Sequence, residues 1–325
     1  MGEPLQKLKT RYVVLLLFVV VVGAILMTWR LRRNSSPRRE SDEKSTCSFD
    51  SVRYFVLFVG TGRSGHSLVS ALLDAHPHVI ISDEYDLLSK WPLMGVTEKT
   101  RDHVFNILYE KSHSDSLRGR GDATNEIRTY TYHVPNEYPG QCGGGYVEVI
   151  GDKKGTGSAR FLADTKRFDD VRALQRIVGV PLKILHVVRN PFDTISTQIL
   201  RSQKIYEKVK AKKVAVKTSE GIVRKHVNKY FGLVDSYVSL FRANLPKVDF
   251  MDVWSEDFIR DPKGNLRRLC TWFEIECSDS YLDHCASIVS SRPSRTRELL
   301  RWPFKEKLAV EQAMKNYSFF RRYSF

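Results

Sequence analysis

Apolar residues recur along the chain as short unbroken runs, each followed by a polar or glycine-containing turn. Residues 54–59 and 183–188 are rich in β-branched and aromatic side chains, which is typical of buried strands. Residues 67–75 and 192–200 follow these runs and carry apolar side chains at helical spacing instead. The pattern predicts an α/β fold in which both strand-to-helix loops lie side by side at the carboxyl edge of a parallel sheet.

Further segments extend the prediction to most of the chain. Residues 147–150 and 248–253 are expected to be short strands, and a helix is expected to begin at Asp261 and Pro262 and to reach Phe273. The strand at 147–150 leads to the sequence Gly-Asp-Lys-Lys-Gly at 151–155, for which a solvated turn is the simplest structural interpretation. Residues 90–146 show weak periodicity, so we expect an irregular insertion that is either a binding loop or without a function.

The first 52 residues differ from the rest of the chain. Residues 13–27 are an unbroken apolar run with aromatic residues and basic residues on both flanks, and no small-x-small cleavage site follows. We therefore predict a short tail at 1–11, a transmembrane anchor at 12–29, a polar stem at 30–52 and a catalytic domain at 53–325. Three basic residues precede the anchor and five follow it, a count that favours a cytosolic domain.

The chain is strongly basic, with a net charge of +15. Residues 1–45 hold nine Lys and Arg against four Asp and Glu, which leaves about +10 for the remainder. Such a charge suits anionic substrates, although ordinary surface lysines are an equally good explanation. Residues 204–230 carry nine basic residues against two acidic ones, and so form either a site for an acidic glycan or peptide, or a solvated face. No nucleic-acid-binding motif accompanies the charge.

Five cysteines are present, and none forms a C-x-x-C metal-binding pair. An oxidising compartment would permit one or two disulfides among them. The local candidates are Cys277 with Cys285 or Cys270 with Cys285, but the connectivity does not follow from the sequence, and free buried thiols are the alternative.

The turn after the first strand has the composition of a phosphate-binding loop. Gly60, Gly62 and Gly65 fit G-x-G-x-x-G, and the loop opens a helix whose N-terminal N–H groups attract anions. A dinucleotide site remains a weak alternative, because Asp83 and Glu84 lie at about the required distance. A triphosphate site is disfavoured, since His66 replaces the lysine that reaches the β and γ phosphates.

At this loop the sequence resembles the sulfotransferases that use 3′-phosphoadenosine 5′-phosphosulfate (PAPS). Their first motif is a strand, then [KR]-S-G-[TS]-[TS], then a helix; Arg63, Ser64, Gly65 and Ser67 match it, and His66 departs from it. The continuation to residue 84 looks most like the tyrosylprotein sulfotransferases, whose catalytic base falls on Glu84. The resemblance implies a P-loop-like sulfotransferase fold, with 3′-phosphoadenosine 5′-phosphate (PAP) as product and no metal requirement.

Other segments resemble the remaining motifs of this family. Arg189, followed eight positions later by Thr197, matches the arginine and serine that bind the 3′-phosphate. Lys153, or Lys154 as the second choice, matches a lysine that approaches the transferring sulfo group. Arg295 or Arg297 would belong to the basic C-terminal loop that closes the donor site. The resemblance therefore implies Glu84, Lys153 and Arg63 as catalytic residues, and these donor-binding residues: Arg63, Ser64, Gly65, His66, Ser67, Arg189, Thr197 and Arg295.

The resemblance also implies a cellular setting and a reaction. It suggests a type II Golgi membrane protein with a lumenal domain, against the charge count, and the sequons at Asn34 and Asn316 agree with this orientation. The expected reaction is sulfo transfer to a hydroxyl of a glycan or of a protein tyrosine, and residues 90–146 are the expected acceptor region. A P-loop small-molecule kinase and a non-catalytic glycan-binding membrane protein are the alternatives. The oligomeric state is left open.

Overall fold

The computed structural model describes residues 47–121, 131–137, 142, 145–244 and 248–325. The expected tail, the anchor at 12–29 and most of the stem lie outside these residues. Among the residues that are described, no helix is long and apolar enough to cross a membrane.

Five parallel strands form the central sheet, in the order β2-β5-β1-β6-β7, and a two-stranded antiparallel pair, β3-β4, lies outside it. The described strands are β1 Tyr54–Val59, β2 Val79–Asp83, β3 Arg120–Gly121, β4 Thr131–Tyr132, β5 Val149–Lys153, β6 Leu182–Val188 and β7 Asp249–Trp254.

Helices connect these strands and cover the sheet. The described helices are α1 His66–Asp74, α2 Leu87–Lys90, α3 Arg101–Ser116, α4 Gly155–Leu162, α5 Phe168–Val178, α6 Pro191–Ser202, α7 Tyr206–Lys212, α8 Glu220–Asn244, α9 Ser255–Arg260, α10 Pro262–Phe273, α11 Asp279–Ser287 and α12 Phe304–Met314. Short 3-10 turns occur at Trp91–Leu93, Val96–Glu98, Thr165–Arg167, Thr296–Leu299 and Ser318–Phe320.

Both faces of the sheet are buried, as parallel sheets require. Phe55 and Leu57 of β1 point into one hydrophobic cluster, and Val56 and Phe58 point into the other. The helix after β1 packs in the second cluster, whereas the helices after β5 and β6 pack in the first. Neighbouring strands therefore send their chains to opposite faces, and such a switch point leaves a crevice at the carboxyl edge where ligands bind.

The strand predictions are confirmed, and β1 has the expected bounds. The interpretation of 151–155 as a solvated turn is wrong, because Gly151, Asp152 and Lys153 are buried residues of β5. Their polar groups have partners there. Asp152 accepts hydrogen bonds from the Ser82 hydroxyl at 3.3 Å and from the Leu87 N–H at 2.7 Å.

The expected irregular insertion at 90–146 is also corrected in part. Its first half contains the 16-residue helix α3, which buries Val104, Phe105 and Leu108. These three positions pack the helix into the core, although so few apolar residues give little periodicity along the sequence.

Two disulfides join Cys47 to Cys142 and Cys270 to Cys277, and both local pairs expected from the sequence are wrong. Cys285 is a free thiol in α11, buried in the core, where its sulfur donates to the Leu72 carbonyl at 3.7 Å.

Candidate active site

The strand order determines how charged residues are arranged along the carboxyl edge of the sheet. Glu84 follows β2, Lys153 ends β5, Arg63 lies in the loop after β1, and Arg189 follows β6. Since neighbouring strands are about 4.8 Å apart, the acid and Arg189 lie at positions separated by roughly 14 Å across the sheet. A cavity of about 930 Å³ opens over this edge and is lined by Arg63, Glu84 and Arg189 among others.

The loop after β1 has the backbone of an anion cradle. Gly60, Arg63 and Gly65 all have positive φ angles, of 146°, 76° and 101°. Helix α1 begins without a side-chain cap and has no acidic residue in its first turn, so its N-terminus presents positive charge to the cavity. A side chain at Gly65 would place its Cβ 2.6 Å from the Ser255 hydroxyl, which explains the need for glycine there.

Neighbouring elements hold this loop in place. The Gln198 side chain, from α6, donates to the Gly62 carbonyl at 2.8 Å. The Thr61 and Ser64 hydroxyls lie 2.9 Å apart, and Ser64 is buried outside the cavity lining. Ser67 in contrast lines the cavity and accepts a hydrogen bond from Lys153 at 3.1 Å. The predicted cradle residues are thus gathered in one loop, but only some of their side chains face the cavity.

Arg189 connects the second loop to the first. Its guanidinium donates to the Arg63 carbonyl at 3.0 Å and lies 3.4 Å from the Thr197 hydroxyl. On the other side it donates to the Ser294 hydroxyl at 2.9 Å and the Thr296 hydroxyl at 3.1 Å. Residues 126 positions apart in the chain therefore form one wall of the cavity.

Helix α6 places the hydroxyl of Thr197 beside this arginine. The Asn190 side chain caps the helix by accepting from the Phe192 N–H at 2.9 Å, and Pro191 occupies its first turn. Thr197 lines the cavity, whereas the hydroxyl of Ser196 accepts from the Trp302 indole at 3.0 Å and points elsewhere. The structure thus brings Arg189 and Thr197 together, as the family motif requires.

Two lysines hold the carboxylate of Glu84. Lys153 donates to one oxygen at 2.7 Å and Lys154 to the other at 2.6 Å. Lys153 also pairs with Asp83, and its side chain is only 1% exposed. Glu84 itself has a φ of 59°, in a left-handed region that non-glycine residues seldom adopt. The acid and the lysines form one linked charge cluster next to the cradle.

The charges in this cluster shift one another's titration. Burial raises the pKa of Glu84, but the two lysines outweigh it and hold the pKa below its ordinary value. Burial raises the pKa of Asp83 to about 6, opposed by the charge of Lys153. For Lys153, burial lowers the pKa, yet its two acidic partners raise it well above the ordinary value. Lys153 is therefore a cation and Glu84 an ionised carboxylate at neutral pH.

His66 occupies a buried position between two glycines. Its Nε2 lies 3.2 Å from the Val59 carbonyl, and a Cβ at either Gly60 or Gly155 would overlap the ring. Burial lowers the pKa of His66 to about 4, so the ring is neutral at physiological pH. The ring also lines the cavity, and a role in phosphate binding stays a prediction.

Arg295 lies apart from the other predicted residues. It is exposed, pairs with Glu298 at 2.9 Å and lines a second cavity of about 570 Å³ rather than the first. Arg297 pairs with Asp193 at 3.0 Å. The basic segment 291–297 contacts the site through the Ser294 and Thr296 hydroxyls, which accept hydrogen bonds from Arg189. Sequence reasoning missed these contacts because it considered only the arginines of the segment as ligands of the donor.

Comparison with known proteins gives the family. A model of the sulfotransferase family matches residues 56–279, which is more than half of the chain. The chain belongs to the sulfotransferase family. This membership assigns the protein to the enzymes that transfer sulfo groups.

The chain is also similar, at low identity, to solved sulfotransferase structures. STF9 from Mycobacterium avium is 11% identical, with a TM-score of 0.43, over 85% of this chain and 80% of that one. A sulfotransferase domain from the curacin biosynthetic pathway is 12% identical, with a TM-score of 0.45, over 83% and 98%. Mouse SULT7A1, solved with PAP, is 11% identical, with a TM-score of 0.42, over 86% and 93%. No curated protein sequence matches the chain.

Sequence reasoning missed several residues that complete the site of the sulfotransferase. Gln198, Ser294 and Thr296 contact the loops through hydrogen bonds between distant segments, for which the sequence contains no local signal. Among the described residues, no group of His, Cys, Asp and Glu side chains is placed to hold a metal ion, and the expected absence of a metal requirement stays a prediction.

Proposed function

We propose that the protein transfers a sulfo group from PAPS to the hydroxyl of an acceptor. The observation that supports this best is the hydrogen bond from Arg189 to the Arg63 carbonyl, because it joins two anion-binding loops into one wall. A donor with phosphates on both the 3′ and the 5′ positions of its ribose needs two such loops at a fixed separation. An ordinary adenine nucleotide would use only one of them.

Each end of the donor would have its own set of residues. Arg63, Gly65, His66, Ser67 and the N-terminus of α1 would bind the 5′-phosphate. Arg189 and the Thr197 hydroxyl would bind the 3′-phosphate, with the guanidinium oriented by Ser294 and Thr296. Ser64 would contribute its backbone, since its side chain is buried.

The donor supplies an activated sulfo group, linked through oxygen to its 5′-phosphate. Glu84 would accept the proton of the acceptor hydroxyl while the acceptor oxygen bonds to sulfur and the bond from sulfur to the bridging oxygen breaks. Lys153 and Arg63 would stabilise the negative charge that develops on the leaving PAP. The proton on Glu84 then passes to solvent, so charge and atoms balance.

The lysine contacts affect how good a base Glu84 can be. Both lysines stabilise its ionised form, which keeps the carboxylate ready to accept a proton but weakens its basicity. A sulfo oxygen would compete with Glu84 for the Lys153 ammonium. We infer that this competition makes Glu84 more basic when the donor is in place.

Calorimetric titration with PAP and with ATP, the latter with and without magnesium, tests the proposal. We expect strong preference for PAP, and we expect Glu84→Gln to lose turnover while it keeps PAP binding. Glu220→Gln, at an exposed position on α8, is the matched control and should behave as the unmodified chain does. Magnesium-dependent preference for ATP would instead support a kinase, and retained turnover in Glu84→Gln would remove that residue from the role of base.

The cellular setting is part of the same proposal. We propose a single-pass type II Golgi membrane protein with a lumenal catalytic domain, which the apolar run at 13–27 and two disulfides support. Asn316 of the second sequon is exposed directly after α12. We expect glycosidase treatment to shift the electrophoretic mobility of the unmodified chain but not that of Asn316→Gln. An unglycosylated chain in a secretory cell would argue against a lumenal domain.

A further inference from the structure

The cavity continues beyond the four strand-end loops onto the helices that cover one face of the sheet. Its outer part is lined by Arg160 of α4, Arg167 of the following 3-10 turn, Arg201 of α6, and Tyr206 and Lys210 of α7. We call these five residues the basic wing. None of them belongs to the donor-binding set, and the wing shares one cavity with Glu84.

The wing carries more positive than negative charge. Of the acids that line this part of the cavity, Glu207 pairs with Arg201 at 3.0 Å and Asp164 lies 3.8 Å from Arg167. Arg160 and Lys210 have no ion-pair partner among the residues that the structure describes. Two cations thus remain to attract an anionic ligand, in a cleft where their fields are less screened than on an open surface.

Aromatic rings alternate with these cations. The Arg201 guanidinium lies 4.2 Å from the centre of the Tyr206 ring, and Lys210 lies 5.8 Å from it. Arg167 lies 5.5 Å from the Phe161 ring, which also lines the cavity. Rings placed beside cations offer both an apolar surface and charged donors, a combination suited to a ring-shaped ligand with acidic substituents.

The positive surface extends outward along α7. Val209 is buried and anchors this helix, whereas Lys208, Lys212 and Lys213 are exposed and face away from the core. A chain bound in the wing could therefore continue over further lysines outside the cavity. This feature favours a repeating polyanion over a small single anion.

We propose that the wing binds an anionic glycan chain as the acceptor and presents one of its hydroxyls to Glu84, an inference that rests on the proposed function. Arginine guanidinium groups match carboxylate and sulfate oxygens in pairs. Every wing residue lies on a helix or a 3-10 turn, so the wing offers no strand edge to which an extended peptide could add. Binding of an acidic peptide by the arginines is the alternative that the test decides.

Binding of a heparin-derived hexasaccharide to the full chain, compared with its fully desulfated counterpart and with an acidic tyrosine peptide, tests the inference. We expect the double variant Arg160→Gln/Lys210→Gln to weaken hexasaccharide binding on the order of tenfold or more. Its affinity for PAP should stay within about twofold of the unmodified chain, since neither residue touches the donor loops. The Kd values for both ligands and the acceptor KM are the measurements.

A matched control removes the same charge elsewhere. Arg176→Gln/Lys225→Gln changes one arginine and one lysine at exposed positions outside the main cavity, and should leave hexasaccharide binding unchanged. Equal loss in both double variants, equal binding of the desulfated oligosaccharide, or a wing-dependent preference for the peptide would each overturn the glycan inference while normal PAP binding still supports the proposed function. Failure to bind PAP would overturn the proposed function whatever the glycan result.

Discussion

Lys153 and Lys154 are neighbours in sequence but have different surroundings. Lys153 is enclosed by Asp83, Glu84 and Ser67, while Lys154 pairs with the second oxygen of Glu84 and is 26% exposed. Removing Lys154 therefore perturbs the carboxylate without leaving a buried charge unpaired. It is the better position at which to test the electrostatic control of the base.

We expect Lys154→Met to raise the pKa of Glu84, because one of two cations that hold it down is lost. Since the base acts when ionised, the acid limb of the pH–rate profile should move to higher pH, by up to about 1 unit. Lys166→Met, at an exposed position, is the control. An unmoved acid limb would show that ionisation of Glu84 does not limit the rate.

His66 makes a second residue-scale prediction, for stability rather than rate. The unfolded chain binds a proton on histidine near pH 6.5, but the folded protein does so only near pH 4. The neutral His66 ring therefore makes its full contribution to the free energy of unfolding above pH 6.5. At most about 3 kcal/mol of this contribution is lost as the pH falls towards 4. Denaturant unfolding of His66→Gln should show a weaker fall between pH 7 and 5 than the unmodified chain.

The control for that experiment is His103→Gln, at a half-buried position near the start of α3, which should keep the full pH dependence. His76, also buried, has a pKa lowered to about 4 and will preserve part of the effect in both variants. If the free energy of unfolding of His66→Gln depends on pH as strongly as that of the unmodified chain, the imidazole of His66 is already accessible to protons in the folded state.

At the scale of elements, the segment from Ser294 to Thr296 connects the C-terminal part of the chain to Arg189. Its two hydroxyls accept hydrogen bonds from Nη2 of Arg189, whereas Nη1 donates to the Arg63 carbonyl. The segment thus holds the arginine in one orientation before the donor arrives. Such preorganisation contributes to affinity by reducing the side-chain ordering that binding requires.

We expect Ser294→Ala/Thr296→Val to weaken PAP binding by roughly tenfold, because two hydrogen bonds to a charged group are lost. Turnover at saturating donor should change much less, since neither hydroxyl reaches the reacting sulfur. Calorimetry with PAP and steady-state kinetics provide the two readouts. Unchanged PAP affinity would mean that the Arg63 and Ser294 carbonyls and Thr197 are enough to position Arg189.

The elements show where sequence reasoning succeeds and why it fails elsewhere. Strand β1 was predicted with its bounds because six consecutive apolar residues end at a glycine, which is a local signal. Strand β5 was predicted too short, because its last two residues are Asp152 and Lys153, and their burial depends on partners from β2 and the loop after it. Charged residues become buried only where distant segments neutralise them.

The residues of the candidate active site likewise divide into those with a local sequence signal and those that depend on distant segments. Arg63, Glu84 and Arg189 could be proposed because their spacing matches the family motifs, and Arg63 and Arg189 lie in loops that follow predicted strands. The pairing of Glu84 with two lysines could not be proposed from the sequence. It requires β2 and β5 to be neighbours, although β2 ends at Asp83 and β5 begins only at Val149. Strand order is set by packing over the whole sheet and leaves no local trace in the sequence.

On the scale of the whole molecule, the disulfide from Cys47 to Cys142 closes a loop with a sequence separation of 95, whereas Cys270 and Cys277 are 7 apart. In the chain-entropy model the longer loop contributes about 5 kcal/mol and the shorter about 2. We therefore expect Cys142→Ser to lower the free energy of unfolding more than Cys277→Ser does. Denaturant unfolding of the three proteins gives the comparison.

Thiol counting supplies the control for these variants. Burial raises the pKa of Cys285 to about 12, so the native protein should resist alkylation, and denaturation without reductant should expose one thiol. Each serine variant should expose one more. Three or more reactive thiols in the unmodified denatured chain would show that a disulfide is missing.

The order β2-β5-β1-β6-β7 sets the last prediction, because it assigns the two ends of the nucleotide to different arginines. Arg189 should contact only the 3′-phosphate, and Arg63 the 5′-phosphate that adenosine 5′-phosphate shares with PAP. We expect Arg189→Ala to reduce the affinity for PAP on the order of a hundredfold, close to that for adenosine 5′-phosphate, whose own affinity changes little. Arg63→Ala should weaken both nucleotides by similar factors.

Arg172→Ala, on the exposed side of α5, removes the same charge away from the cavity and should leave both affinities unchanged. Arg189→Lys should recover only part of the PAP affinity, because an ammonium keeps the charge but cannot donate to the Arg63 carbonyl, the Ser294 hydroxyl and a phosphate in one plane. Competitive displacement of a fluorescent PAP analogue measures all of these affinities. If Arg189→Ala weakened both nucleotides equally, the two loops would not divide the phosphates between them, and the direction assigned to the donor across the sheet would be wrong.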